Sequence, residues 1–142
     1  MKKLHLILLF IATAMTVQAQ TDSTTFKAQL YNEQLDVEMT INLYDADVEV
    51  PNLEFLGPLG GYLSKRRSYS TCWIITDAVL KNNHSAQIEM INESGSEDLT
   101  ATLVCTSDST YTFKQGSGST LKIPKGNKWQ KLPACFTLKR KK

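Results

Sequence analysis

Histidine is scarce in this chain: the 142 residues include two, His5 and His84. His5 falls in an N-terminal stretch that reads as a removable leader, so His84 alone is left to act as a base. It sits in the polar turn sequence "KNNHS". Nucleophilic hydrolysis leans on a positioned histidine, and zinc sites built from several histidines need more than one, so both classes are argued against. The Gly-x-Ser-x-Gly elbow of the serine hydrolases is missing too. Long apolar runs are equally lacking. The run from Leu4 to Ala14 is shorter than the roughly 20 residues that a bilayer-spanning helix needs, and no later run exceeds it. No window keeps the three-and-four spacing of an amphipathic helix. No cysteine stands near the N-terminus to carry a lipid, since the first is Cys72.

What is present begins with "MKKLHLILLFIATAMTVQAQ". Two lysines, an apolar run and small residues at Val17 and Ala19 are the parts of a secretory signal peptide, with cleavage expected after Ala19. Residues 1–19 are therefore expected to be a leader and 20–142 a single domain, secreted or periplasmic, without a lipoprotein cysteine. The "AQAQ" ending resembles leaders of Gram-negative bacteria of the Bacteroidota type. About 120 residues then remain, one domain's worth.

Removing Lys2 and Lys3 from the 16 basic residues balances them against the 14 acidic ones, but the balance is uneven along the chain. All carboxylates lie between Asp22 and Asp108, giving that part a charge of about −9; everything after Asp108 is basic or neutral, about +9.

Apolar residues recur at every second position in "FKAQL", "DVEMTINL", "ADVEV", "AQIEMI" and "DLTATLVC". This is the mark of strands with one buried face. "CWIITDAVL" is a nearly continuous apolar strand, and "TYTF", "TLKI" and "ACFTLK" complete the series. Turn-forming sequences such as "YNEQ", "NESGSED", "KQGSGS" and "PKGNK" separate them at intervals of about 8 to 12 residues. The fold class expected is all-β: a single antiparallel meander barrel of about 8–9 strands, with a two-sheet β-sandwich as the alternative. Closure would set the basic C-terminal portion of the chain against the acidic N-terminal portion.

A leader, a short mature chain and eight or nine meander strands together resemble the lipocalin-like, calycin-type β-barrels. The resemblance covers the mature chain in layout. The lipocalin Gly-x-Trp motif has no counterpart, because the strand around Phe26 holds neither residue, and Trp73 and Trp129 are too few for the avidin pattern. The resemblance implies a ligand held in the barrel mouth.

The stretch "EFLGPLGGYLSKRRS" is too rich in glycine for a strand and too apolar for a solvated loop. With its flanks, Pro51 to Ser70, it reads as a long loop that plugs one barrel end, covers a ligand cavity, or protrudes toward a partner. Phe55, Leu56, Leu59 and Tyr62 are the candidate lining of a site for a small apolar or amphipathic ligand, with Lys65, Arg66 and Arg67 for an anionic headgroup. Ala28, Ala86 and Ala101 are small interior residues that could leave room for it. The alternative is a protein-interaction module, such as an inhibitor of a foreign hydrolase, that turns the same loop outward. Catalytic residues, metal ligands and cofactors are expected to be none, and a hydrolase is a distant third reading.

Asp45, Asp47 and Glu49 share one face of a strand or turn but lack the glycine and distal glutamate of an EF-hand loop, so a solvated face is expected. Cys72, Cys105 and Cys135 allow one disulfide in three pairings, with Cys105 in the inward phase of its strand and Cys135 outward. "SKRRS" and "LKRKK" could meet an anionic glycan, lipopolysaccharide or nucleic acid. Sparse aromatics beside them and a balanced mature charge argue against nucleic acid. "DST" at Asp22–Thr24 and Asp108–Thr110 is similar to the triplet at which Bacteroidota attach O-glycans, and Asn83-His84-Ser85 and Asn92-Glu93-Ser94 match the N-glycosylation triplet.

Overall fold

The computed structural model describes residues 24–142; the stretch read as a leader lies outside the described residues. Ten strands follow: β1 Lys27–Asn32, β2 Val37–Asn42, β3 Gly61–Lys65, β4 Cys72–Asn82, β5 Ser85–Asn92, β6 Asp98–Ser107, β7 Thr110–Gly118, β8 Lys122–Lys125, β9 Lys128–Lys131 and β10 Cys135–Arg140. Eight of them close into an antiparallel barrel in the order β1-β2-β3-β4-β5-β6-β7-β10, with β10 returning to β1. The closed meander expected from the two-residue repeat is the fold, and the sandwich is set aside. β8 and β9 form a separate hairpin inserted between β7 and β10.

Closure places β10 beside β1, with Leu30 opposite Arg140 and Tyr31 opposite Lys139. The basic end of the chain is thereby laid against the acidic beginning, and Lys141 Nζ reaches Glu38 Oε2 at 3.2 Å.

Alternation fills the interior. Leu30, Met39, Ile41, Leu63, Trp73, Ile75, Ala86, Ile88, Met90, Leu103, Phe113 and Leu138 belong to one buried cluster. Each large aliphatic side chain removed from water contributes about 1.5–3 kcal/mol before chain entropy is counted. Phe113 and Phe136 stack with ring centroids 4.9 Å apart.

Both ends are occupied. At the end that holds the β1–β2 and β3–β4 turns, Leu121, Ile123 and Leu132 from the β8–β9 excursion join the main core. Trp73 Nε1 donates to the Lys122 carbonyl at 2.9 Å and ties the hairpin down. At the other end Phe26 meets Tyr111 edge-on, and the Tyr111 hydroxyl donates to the Thr25 carbonyl. Ala86 and Ala101 are buried in this packing and fit the taper of a small barrel.

Two sequence expectations need correction. "ADVEV" is not a barrel strand: its Val48 makes a single antiparallel bridge to Leu59. The third wall strand is instead Gly61–Lys65, inside the stretch Pro51 to Ser70 that reads as loop. Glycine hides it. Gly61 has φ 148°, and a Cβ there would stand 2.1 Å from the Thr40 carbonyl oxygen, so the close approach of β3 to β2 requires glycine at that position.

Candidate functional site

The long β2–β3 connection leaves the barrel at Asn42 and folds back as a strap over the outer face of β3 and β4. Its exit is built by Asn42, whose Nδ2 donates to Asp47 Oδ1 at 2.8 Å and to Asp45 Oδ2 at 3.3 Å, while its Oδ1 accepts from the N–H groups of Tyr44 and Asp45. These aspartates organise a turn, and among the described residues no cluster of side chains is suited to a metal ion.

The strap stays down because the wall beneath it is apolar on both faces. Trp73 and Ile75 point inward; Cys72 and Ile74 alternate with them and point out. Val50, Tyr62, Cys72 and Ile74 form a second buried cluster, with Val48, Leu53, Leu59 and Ile91 packed against it. The Val48–Leu59 bridge pins the strap to itself, and Asn52 Nδ2 reaches the Tyr69 carbonyl at 3.4 Å. The continuous run "CWII" is the sequence signal for this arrangement: four successive buried residues in a strand mean cover on both sides.

Titratable groups lie in this cluster and at its edge. Burial raises the Tyr62 phenol above its ordinary value. The Tyr69 phenol is raised by its hydrogen bond to Glu38. Burial, helped by the nearby Glu93 charge, pushes the Cys72 thiol up to about 11. The Cys72 N–H donates to Glu93 Oε1 at 2.6 Å. All three cysteines are free: Cys72 buried, Cys105 half-buried and Cys135 exposed.

The seven residues singled out by sequence separate into three groups. Leu59 and Tyr62 belong to the strap's underside and the wall beneath it. Phe55 and Leu56 stand at the tip, in a single 3-10 turn Glu54–Leu56, and are 81% and 42% exposed. Lys65, Arg66 and Arg67 lie at the end of β3 and in the turn that follows. Lys65 Nζ is 3.9 Å from Asp36 Oδ2, Arg66 lies 5.6 Å over the Tyr31 ring, and Arg67 takes a left-handed φ of 59°. Arg66 thus crosses toward β1, whereas the strap covers β3 and β4.

At the Phe26 end, a cleft of about 450 Å³ is lined by His84, Cys105, Asp108 and Arg140 among others. Three catalytic residue types meet there, yet the Cys105 thiol donates to the Ser107 carbonyl at 3.0 Å and His84 touches Cys105 through the backbone, its carbonyl accepting the Cys105 N–H. Comparison with known protein families, curated proteins and solved structures finds no match to the chain.

Proposed function

We propose that the protein is a secreted, non-enzymatic binding module whose partner is another protein, met at the outer surface of the barrel by the tip of the strap. The observation that carries this reading is the contrast within one short segment. Val50, Leu53 and Leu59 are committed to the wall, while Phe55, between them in sequence, is left in water. An aromatic residue held out on an anchored base loses little freedom when a partner covers it, and such residues supply much of the energy of protein interfaces. An inhibitor of a foreign hydrolase is one partner relationship of this kind.

The lipocalin-like reading uses the same loop as a lid over a lipophile. Such a ligand would have to displace Trp73, Phe113 or Phe136 from their mutual packing, or lift the hairpin that carries Leu121, Ile123 and Leu132. Each displaced aromatic side chain would cost on the order of 3 kcal/mol or more. An external contact needs none of this.

The test is capture from the medium the protein is released into, with native mass spectrometry of the purified chain. The expected result is a bare mass and a protein partner that is retained by the wild type and lost on Phe55→Asp. A small molecule carried through purification and released on denaturation would replace this reading with the lipocalin-like one. Hydrolytic activity abolished by His84→Ala would overturn both.

A further inference from the structure

The fold brings together two basic stretches that the sequence keeps far apart. "LKRKK" closes the barrel: β10 pairs with β1, and beyond β10 the chain continues along it, the Lys141 N–H donating to the Gln29 carbonyl at 2.8 Å. Lys141 is therefore held on the closing seam through its backbone. "SKRRS" arrives from the other side. The Arg66 N–H donates to the Asp36 carbonyl at 3.0 Å, and the guanidinium lies over Tyr31 of β1.

Between them is a depression of about 730 Å³, bordered by Arg66, Lys139, Arg140, Lys141 and Lys142, with Tyr31, Ser109 and Thr110 supplying a ring and hydroxyls and Glu33 as the one acidic side chain in its lining. Lys141 is engaged by Glu38. Arg140 is anchored, one terminal nitrogen donating to the Thr24 and Thr25 carbonyls and to the Tyr111 hydroxyl. Arg66, Lys139 and Lys142 have no ion-pair partner among the described residues.

We propose that this seam depression is a binding site for an acidic glycan, a saccharide chain bearing sulfate, phosphate or carboxylate groups. Cations without carboxylate partners, held around a concavity, attract and retain a multiply charged anion, and a guanidinium can grip a sulfate or carboxylate with two parallel hydrogen bonds. The Tyr31 ring and the Ser109 and Thr110 hydroxyls suit a sugar's mixed apolar and hydroxylated faces. A lipid surface fits less well, because the exposed apolar residues Phe55, Leu56 and Trp129 are not among the lining. Single-stranded nucleic acid would call for a row of stacking rings where this depression has one.

The test is titration calorimetry of the full chain with a heparin hexasaccharide at about 50 mM salt, where screening is weak. Saturable binding is expected, weakened at least about tenfold by Arg66→Ala combined with Lys139→Ala. Lys125→Ala combined with Lys128→Ala removes the same charge from the β8–β9 hairpin and is expected to leave binding unchanged. Tyr31→Leu is expected to weaken binding without altering its salt dependence. Absence of binding, equal loss in the two double variants, or tighter binding to phosphatidylglycerol vesicles or single-stranded DNA than to the hexasaccharide would overturn the proposal. Its failure would leave the strap reading untouched, since Phe55 has no part in it.

Discussion

Along β3 and β4 the barrel wall is buried from both sides, and the two sides are held very differently. Inside, Leu63, Trp73 and Ile75 join a cluster to which every barrel strand contributes. Outside, Tyr62, Cys72 and Ile74 are covered by one strap, anchored mainly through Val50, Leu53 and Leu59. The first arrangement is cooperative, because no strand can leave without opening the barrel. The second can come undone alone. A chain that packs one face of a wall to define its fold and the other to carry a projecting tip has separated stability from presentation.

That separation can be broken most forcefully from within. Phe113→Ala removes a ring stacked on Phe136 and is expected to cost about 3–5 kcal/mol in urea unfolding, with the strap lost along with the barrel. Ile74→Ala, on the other side of the same wall, is expected to cost about 2 kcal/mol and to loosen the strap while Trp73 stays inside.

Alkali acts on the outer cluster through its thiol and phenol groups. The Cys72 thiol, raised from its ordinary 9 to about 11, stays protonated in the folded chain while an unfolded chain has already released the proton. Below pH 9 this group leaves stability nearly unchanged; between about pH 9 and 11 it lowers stability by about 2 kcal/mol. Equilibrium unfolding across that range checks it, and Cys72→Ala is expected to remove part of the fall. The remainder comes from Tyr62 and Tyr111, whose phenols are raised by burial, and from Tyr69 through its bond to Glu38. The smallest effect is expected at the tip, where Phe55→Ala should change stability by no more than about 0.5 kcal/mol while weakening partner capture.

The barrel was legible because period-two patterning is strict in β1, β2, β5 and β6, and in β1, β5 and β6 one face meets the core while the other is largely open to water. It failed where a wall is covered twice. Tyr62, Ser64, Cys72 and Ile74 face outward yet are buried, so polarity no longer marks the outer face and β3 is lost in the loop that precedes it. "ADVEV" misled for the complementary reason: Val50 is fully buried, but against the outside of the barrel. A two-residue repeat records that a face is covered and not which layer covers it. Of the candidate site, the prominence of the Pro51–Ser70 stretch was readable. That Arg66 turns away toward Tyr31 and the C-terminal lysines depends on strand pairing across the closing seam, which a single sequence does not display.

The strap seals the outer wall as a unit distinct from the filled barrel, and Cys72 is placed to report on it. With Cys105→Ser and Cys135→Ser as background, alkylation of Cys72 can be followed against urea alongside Trp73 fluorescence. The thiol is expected to be unreactive in the native chain and to become reactive at urea concentrations below those at which fluorescence changes. Labelling at the rate of an unfolded chain without urea, or labelling that rises only together with the loss of the barrel, would contradict it.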